Sequence, residues 1–312
     1  MRALVTGAAG FIGSTLCDRL IADGADVVGL DSFTDYYARG IKERNLSGLA
    51  GHPRFHFVES AIRDANLNAL VRDRTHVFHL AAQAGVRKSW GPDFAVYTIN
   101  NIEATQLLLE ACTKVRLEKI VYASSSSVYG DCVSMPMRED ALPQPVSPYG
   151  VTKLAAEQLC HLYHTNYGVP AVSLRYFSVY GPRQRPDMGF HKFLRAVIRA
   201  EPIRLYGDGD QTRDFTYVHD TVNATVAAAV RGVPGHVYNI GGGSCVSVNH
   251  VVEMIARVAG RQPVVEVDPA QPGDMRHTYA DTSRARVELG FQPQVSLEQG
   301  LHAEYQWLTG VL

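Results

Sequence analysis

A glycine-rich turn near the start of the chain constrains the fold more than any other feature. Gly7, Gly10 and Gly13 follow a short β-branched run and open a segment whose apolar residues recur at helical spacing. A strand that enters a helix through such a turn leaves free N–H groups at the helix start, and glycine has no Cβ to keep phosphates away from them. The turn, with Phe11 and Ile12, therefore predicts a dinucleotide pyrophosphate site. Glycine clusters alone usually only make turns, and this spacing is GxxGxxG instead of the commoner GxGxxG.

A carboxylate stands where a dinucleotide site needs one. Asp31 lies 18 residues after Gly13, at the end of the second predicted strand. A carboxylate at this place accepts hydrogen bonds from the adenosine ribose hydroxyls and repels a 2′-phosphate. The sequence therefore favours NAD over NADP as the cofactor. The alternative is that Asp31 is a solvated residue at a strand end.

Short β-branched runs alternate with longer amphipathic segments in the first part of the chain. The runs are residues 3–5, 27–30, 55–58, 77–80 and 120–123, and the segment 100–113 has helical spacing. This alternation is typical of βαβ units. We therefore predict an α/β protein with a Rossmann-type, doubly wound parallel sheet.

The composition changes after Gly181, where prolines and glycines interrupt shorter segments. We predict an NAD-binding Rossmann domain at residues 1–177 and a smaller C-terminal α/β substrate lobe at residues 178–312. Whether a segment of the second part returns to the first domain stays open.

A tyrosine and a lysine are placed for proton transfer. Tyr149 and Lys153 are four residues apart in an amphipathic segment, so they share one face of a helix. An ammonium group and a positive nicotinamide ring both favour the phenolate, which makes Tyr149 a candidate general base. The serine run 124–127 follows the fifth strand, at the edge where doubly wound sheets bind ligands. The alternatives are a half-exposed helix with an unrelated Tyr and Lys, and a polar turn that caps the next segment.

Charge and cysteine content exclude several classes of function. Lys and Arg total 30 against 31 Asp and Glu, so nothing favours nucleic acid or an anionic membrane as a partner. The cysteines lack the spacing of a zinc site or a disulfide framework, which fits a reducing cytosol and predicts no metal. No signal segment or membrane-spanning apolar run is present, so we expect a cytoplasmic protein. The five cysteines are Cys17, Cys112, Cys132, Cys160 and Cys245.

Together, these motifs resemble the extended short-chain dehydrogenase/reductase family, in particular its nucleotide-sugar epimerases and dehydratases. The resemblance covers essentially the whole chain. It extends to the stretches at residues 30–37, 79–87, 174–177, 211–217 and 272–276. It implies NAD as a tightly bound cofactor, with Ala81 among the residues that contact it, and a UDP-sugar substrate.

The resemblance also implies the type of reaction. In the family, the serine or threonine at the position of Ser125 hydrogen-bonds the sugar 4-hydroxyl. Dehydratases carry Asp-Glu at the next two positions, which here are Ser126 and Ser127, and decarboxylating relatives usually carry glutamate at the second. C4 epimerisation is therefore the reaction that we predict.

The substrate is indicated by the segment 180–190, which resembles that of UDP-glucuronate 4-epimerases. There the resemblance places Arg185 on the uronate carboxylate, which a guanidinium can hold bidentately. Ser178 departs from the asparagine usual in glucose/galactose epimerases, and Ala61 from an aspartate that often contacts adenine. Arg185 as a surface arginine is the alternative.

For the nucleotide, the resemblance implies that Arg213 and Arg276 bind the diphosphate and Asp274 the uridine ribose, with Arg87 also contacting the substrate. The alternative for each is a surface ion pair. Relatives commonly dimerise through the helix that bears Tyr149 and the long helix before it, so we expect a homodimer. Three other functions stay open: a neutral UDP-hexose 4-epimerase, a decarboxylating uronate enzyme and a non-catalytic NAD(H) sensor.

Overall fold

The computed structural model describes residues 1–131 and 134–312, so Cys132 lies outside the described residues. The strands, in chain order, are β1 Arg2–Thr6, β2 Asp26–Asp31, β3 Phe55–Glu59, β4 His76–His79, β5 Lys119–Ser125, β6 Ala171–Tyr176, β7 Val179–Tyr180, β8 Ile203–Tyr206, β9 Thr212–Asp214, β10 Thr216–Tyr217, β11 Val237–Ile240, β12 Cys245–Ser247 and β13 Val265–Asp268. The α-helices are α1 Phe11–Ala22, α2 Arg39–Leu46, α3 Leu67–Val71, α4 Phe94–Tyr97, α5 Ala104–Cys112, α6 Pro148–Tyr167, α7 Gly189–Arg199, α8 Val218–Arg231, α9 Val248–Ala259 and α10 Leu297–Val311.

Seven parallel strands form the large sheet, in the order β11-β6-β5-β4-β1-β2-β3. The order reverses between β1 and β4, as in the doubly wound dinucleotide-binding fold. The five predicted strands are confirmed as β1 to β5, each within one residue of its predicted start, and with them the α/β fold class.

Alternate residues of the central strand face two different cores. Val5 packs in the cluster that contains Leu16 of α1, whereas Leu4 packs in the cluster that contains Leu108 of α5 and Ala156 of α6. Helices therefore cover both faces of the sheet. This leaves the carboxyl ends of the strands as the open edge.

The predicted helix at residues 100–113 differs in its first turn. Thr98–Glu103 is a π-helix, and the α-helix begins only at Ala104. In this wider turn, Asn101 accepts a hydrogen bond from Gln83 N (2.7 Å) and donates to Gln83 O (3.0 Å) and to Thr152 Oγ1 (2.9 Å). These bonds stabilise a turn that helical periodicity alone does not reveal.

The second part of the chain forms short pairs of strands with α7, α9 and α10 around them. These pairs are β7 with β10, β9 with β12 and β8 with β13, and only the second pair is antiparallel. β11, however, pairs with β6 at the edge of the large sheet. Within the described ranges, none of the helices is both long and apolar enough to cross a lipid bilayer.

Candidate active site

The glycine turn is closed by its own backbone. Gly7 has φ +71°, and a Cβ there would lie 2.8 Å from Ala81 N; a Cβ at Gly13 would lie 2.0 Å from the Gly7 carbonyl oxygen. Glycine at these positions is therefore required for the turn to pack against α1 and β4. Gly10 caps α1 without a side-chain hydrogen bond, which leaves the N–H groups of the first helical turn for an acceptor.

One cleft runs from this turn along the carboxyl edge of the sheet. It passes Ala61 and ends at Arg185. The residues predicted to hold the cofactor all line it: Gly7, Gly10, Phe11, Ile12, Gly13, Asp31, Ala81, Tyr149 and Lys153. The structure therefore brings the two motifs of the sequence into one site.

Asp31 lies at the end of β2 with its carboxylate fixed by the main chain. Oδ2 accepts a hydrogen bond from Ala9 N (3.1 Å), and Oδ1 accepts one from Phe33 N (2.9 Å). A carboxylate oxygen has room for a second donor, so both oxygens can still accept from ribose hydroxyls. The free N–H groups at α1 and this oriented carboxylate fit the pyrophosphate and adenosine ribose of NAD.

Tyr149 stands in the first turn of α6 and lines the same cleft. Ser147 caps this helix, its Oγ accepting from Gly150 N (3.1 Å), and Pro148 follows as the first helical residue. Burial raises the pKa of Tyr149, whereas the charge of Arg185 and a hydrogen bond with Ser125 act to lower it. The phenol therefore needs further positive charge to ionise near neutral pH.

Lys153 is buried one helical turn further along. Its Nζ lies 4.4 Å from the centroid of the Tyr122 ring. Burial lowers the pKa of Lys153 to about 7, opposed by the charge of Glu157. In this structure the cation that acts on Tyr149 is thus Arg185, and Lys153 faces the ring of Tyr122.

The serine run 124–127 lies beside Tyr149. Ser125 Oγ accepts a hydrogen bond from Ser127 N (3.1 Å), and Ser126 is buried. Ser124 is the member that lines the cleft within the described part of the chain, and its hydroxyl donates to Glu157 Oε2 (2.6 Å). The carbonyl of Ser178, at the end of β6, accepts from the start of β10.

Arg185 has a partner that the sequence did not indicate. Its Nε donates to Asp187 Oδ1 and its Nη2 to Asp187 Oδ2, both at 3.0 Å. Tyr36 donates to the same carboxylate (3.2 Å to Oδ2). Tyr36 also lines the cleft. Asp187 and Tyr36 lie within stretches that resemble the family, but no spacing shows that they meet.

The predicted nucleotide-binding residues lie near one another: Arg213, Asp274 and Arg276 on the second part of the chain, and Arg87 on the first. We call these four residues the arginine group. Arg87 pairs with Asp274 (2.7 Å), and its guanidinium lies 4.1 Å from the Tyr206 ring centroid. Arg213 is half-buried; burial lowers the pKa of its guanidinium, which donates to the Arg276 carbonyl (3.2 Å).

Arg276, by contrast, is exposed and pairs with Asp208 (2.7 Å). The loop that carries Asp274 and Arg276 packs against the N-terminus of the helix of Tyr149: a Cβ at Gly273 would lie 3.2 Å from Ser147 Cβ. The arginine group is therefore near the catalytic helix, but Arg87 and Arg276 already have carboxylate partners.

Known proteins with similar sequences cover the same length. The chain matches the NAD dependent epimerase/dehydratase family over residues 3–241. It is 43% identical over 315 residues to YtcB of Bacillus subtilis (strain 168), named as an uncharacterized UDP-glucose epimerase, with 100% of this chain and 99% of that protein covered. It is 37% identical over 311 residues to UDP-glucuronate 4-epimerase of Thermodesulfobacterium geofontis (strain OPF15), with 97% and 95% covered.

Solved structures match over the whole chain as well. The crystal structure of UDP-glucuronic acid 4-epimerase from Bacillus cereus, in complex with UDP-glucuronic acid and NAD, superposes with a TM-score of 0.98 at 45% identity and full coverage of both chains. A tyrosine-to-phenylalanine variant of that enzyme, in complex with UDP-4-deoxy-4-fluoro-glucuronic acid and NAD, has the same TM-score, identity and coverage.

Proposed function

This chain belongs to the NAD dependent epimerase/dehydratase family, and we propose that it is an isomerase that converts UDP-glucuronate into UDP-galacturonate by inverting C4. The observation that carries the proposal is that Arg185 lines the same cleft as Tyr149 and Lys153. A cation at this place suits a sugar with a carboxylate. The Bacillus cereus structure, which contains UDP-glucuronic acid and NAD, supports the same assignment.

NAD is the cofactor, and the cleft has the groups to hold it. The N–H groups after Gly10 suit the pyrophosphate, and Asp31 suits the adenosine ribose. Lys153, buried in the same cleft, is placed to hold the second ribose. When bound, NAD supplies a hydride acceptor that also returns the hydride, so it is not consumed.

Tyr149 acts as the general base. Its phenolate takes the proton of the sugar 4-hydroxyl, which Ser125 steers by a hydrogen bond, while C4 loses a hydride. The charge of Arg185, together with that of the nicotinamide when NAD is bound, opposes the burial that raises the pKa of Tyr149. After the 4-keto sugar rotates about its link to the diphosphate, Tyr149 returns the proton and the opposite face of C4 regains the hydride.

In this proposal, the arginine group binds the nucleotide half of the substrate. A diphosphate offers Arg213 and Arg276 stronger, doubly charged acceptors than their present partners. Arg276 then exchanges Asp208 for phosphate, and Arg87 keeps Asp274 oriented toward the uridine ribose. In this proposal Ser126, Ser127 and Ser178 belong to the sugar site, and serine hydroxyls supply neither the acid nor the base that elimination would need.

A neutral UDP-hexose is the second candidate substrate, because Asp187 already neutralises Arg185 and because YtcB is named as a UDP-glucose epimerase. Incubation of the purified protein with UDP-glucuronate and with UDP-glucose, followed by separation of the products, decides between them. We expect UDP-galacturonate from the first at a far higher kcat/KM. Release of a pentose nucleotide would instead indicate a decarboxylating enzyme, and no turnover of either would indicate an NAD(H) sensor.

We also infer a cytoplasmic homodimer with an NAD-binding domain at residues 1–177 and a substrate lobe at residues 178–312. The expected dimer surface is on α6 and on the long helix before it, which runs from α4 through the π-helical turn to α5. It exposes apolar side chains, among them Val96, Val151, Leu162 and Tyr167. Cys17, Cys112, Cys160 and Cys245 are free thiols, as a reducing compartment favours. Light scattering on a Leu162→Glu variant tests the dimer, which should become monomeric.

A further inference from the structure

Arg185 lines the cleft and pairs with the carboxylate of Asp187, and the geometry of this pair leaves donors of the guanidinium free for a substrate. The two 3.0 Å bonds occupy Nε and one hydrogen of Nη2. A guanidinium has five N–H donors in one plane, so its Nη1–Nη2 edge can hold a second carboxylate bidentately. Asp187 therefore fixes the plane of Arg185 without blocking it.

Asp187 is itself held from a distant part of the sequence. Tyr36 donates to Asp187 Oδ2, and it reaches this place because Gly85 has no side chain: a Cβ there would lie 2.2 Å from the Tyr36 hydroxyl oxygen. The Arg185 guanidinium also lies 5.9 Å from the Tyr36 ring centroid. The three side chains thus form one hydrogen-bonded unit.

The loop that carries the unit is also anchored. Arg183, at φ +70°, pairs with Asp18 of α1 (2.7 Å). Gln184 Oε1 accepts from His191 N (2.8 Å), and the Gln184 carbonyl contacts His191 Nδ1 (2.9 Å). The backbone just before Arg185 is therefore anchored to α1 and to α7, and Asp187 restricts the remaining freedom of the Arg185 side chain.

The orientation of a uronate carboxylate decides the fate of its 4-keto form, which is a β-keto acid. If the C5–C6 bond aligns with the carbonyl π system, that bond breaks and CO2 leaves. The electron pair stays on C5 as an enolate, which takes up the proton released from the 4-hydroxyl. The products are a UDP-4-keto-pentose, CO2 and NADH, because the hydride from C4 is not returned.

We propose that Asp187 is a positioning residue: acting through Arg185 and supported by Tyr36, it holds the substrate carboxylate out of this alignment and so separates epimerisation from decarboxylation. The proposal rests on the proposed function, since it needs a uronate substrate. Without Asp187, the guanidinium of Arg185 can rotate about the Cγ–Cδ and Cδ–Nε bonds, and the substrate carboxylate that it holds rotates with it.

Asp187→Asn tests this proposal, because the amide keeps the size of the side chain and loses one of the two acceptors for Arg185. Purified protein is incubated with UDP-glucuronate; pentose and hexuronate nucleotides are separated by mass spectrometry, and NADH is followed by absorbance. We expect the ratio of decarboxylated to epimerised product to rise at least about tenfold, and NADH to accumulate in parallel. Tyr36→Phe should give a smaller rise.

Asp140→Asn is the matched control. Asp140 pairs side-on with Arg138, also two residues away, through Nε (3.1 Å) and Nη2 (3.3 Å), but on an exposed loop. Its product ratio should equal that of the wild type. An unchanged ratio in Asp187→Asn overturns the proposal, and Tyr36→Phe decides in the same way if Asp187→Asn does not fold. If the wild type itself fails to epimerise UDP-glucuronate, the proposed function fails instead.

Discussion

The cofactor end of the cleft and the arginine group hold their functional side chains in different ways. At the cofactor end, Lys153 is buried, and the turn around Gly7 offers main-chain N–H groups. In the arginine group, Arg87 and Arg276 are at least 40% exposed and pair with carboxylates. The cofactor end therefore binds its ligand through buried groups and main-chain N–H groups that are already in place. The arginine group binds through charged side chains that must first leave their present carboxylate partners.

This difference predicts that the largest loss comes from the buried end. Tyr149→Phe removes the group that takes the 4-hydroxyl proton, so kcat should fall by about 10²–10⁴-fold, the usual contribution of a positioned base. Product formation from UDP-glucuronate at saturating substrate measures this loss. Tyr163→Phe, on the same helix but bonded to Glu110 outside the cleft, should keep kcat. A Tyr149→Phe variant with most of its activity would remove Tyr149 from the role of base.

The arginine group should affect substrate binding and leave the cofactor in place. Arg213→Ala removes a half-buried, charge-assisted contact to the diphosphate, worth about 1.5–3 kcal/mol, so KM for the UDP-sugar should rise by roughly 10–100-fold. Steady-state kinetics and the NAD content of the purified protein measure the two effects separately. Arg204→Ala, an exposed arginine on β8, is the control. Loss of NAD from Arg213→Ala would contradict the separation of the two regions.

The same difference explains which features sequence reasoning reached. Gly7 and Gly13 satisfy requirements of the local backbone, so their residue type and spacing reveal them. The five strands of the first part were predictable for the same reason, since each is a short run rich in β-branched or aromatic residues. The π-helical turn was not, because Asn101 stabilises it through groups on other elements.

Pairing of charges depends on tertiary neighbours, which spacing does not encode. Tyr36 and Asp187 are 151 residues apart and share one hydrogen bond. Arg185 was predictable only from a family resemblance, and its partner Asp187 was missed although it is two residues away. Likewise, β11 joins the large sheet from far along the chain, and local periodicity does not determine its neighbour.

A buried histidine at the end of β4, beside the cofactor end of the cleft, should make the free energy of unfolding sensitive to acid. His79 bonds to Thr6 Oγ1 (2.7 Å) and Thr105 Oγ1 (2.9 Å), and burial, with a contribution from Lys153, lowers its pKa from 6.5 to about 3. Between pH 6.5 and pH 3, the His79 ring binds a proton in the unfolded chain but not in the folded one. The contribution of neutral His79 to the free energy of unfolding is therefore complete above pH 6.5 and is lost as pH falls toward 3. At pH 5.5, the free energy of unfolding should fall by about 1.4 kcal/mol more in the wild type than in His79→Asn.

Denaturant titrations of both proteins at pH 7.5 and pH 5.5 measure this difference. His161→Asn, on the outer side of α6, is the control and should leave the acid sensitivity unchanged. Equal losses in the wild type and in His79→Asn would mean that His79 takes up its proton without unfolding the chain.

Salt should have the smallest effect of these tests, and it should act on the arginine group more than on the cofactor end. Raising sodium chloride from about 0.1 M to about 1 M shortens the Debye length from about 10 Å to about 3 Å, which weakens exposed charges more than buried ones. Salt weakens two kinds of contact here: that of the arginine group with the diphosphate, and the pairs Arg87–Asp274 and Arg276–Asp208 that compete with it. The diphosphate carries more charge than either carboxylate, so its contact is weakened more. KM should therefore rise by about threefold. NAD retained after desalting should stay constant, because main-chain N–H groups and the carboxylate of Asp31, itself fixed by the main chain, hold it. Parallel loss of NAD and of substrate affinity would show that exposed charge holds both ligands.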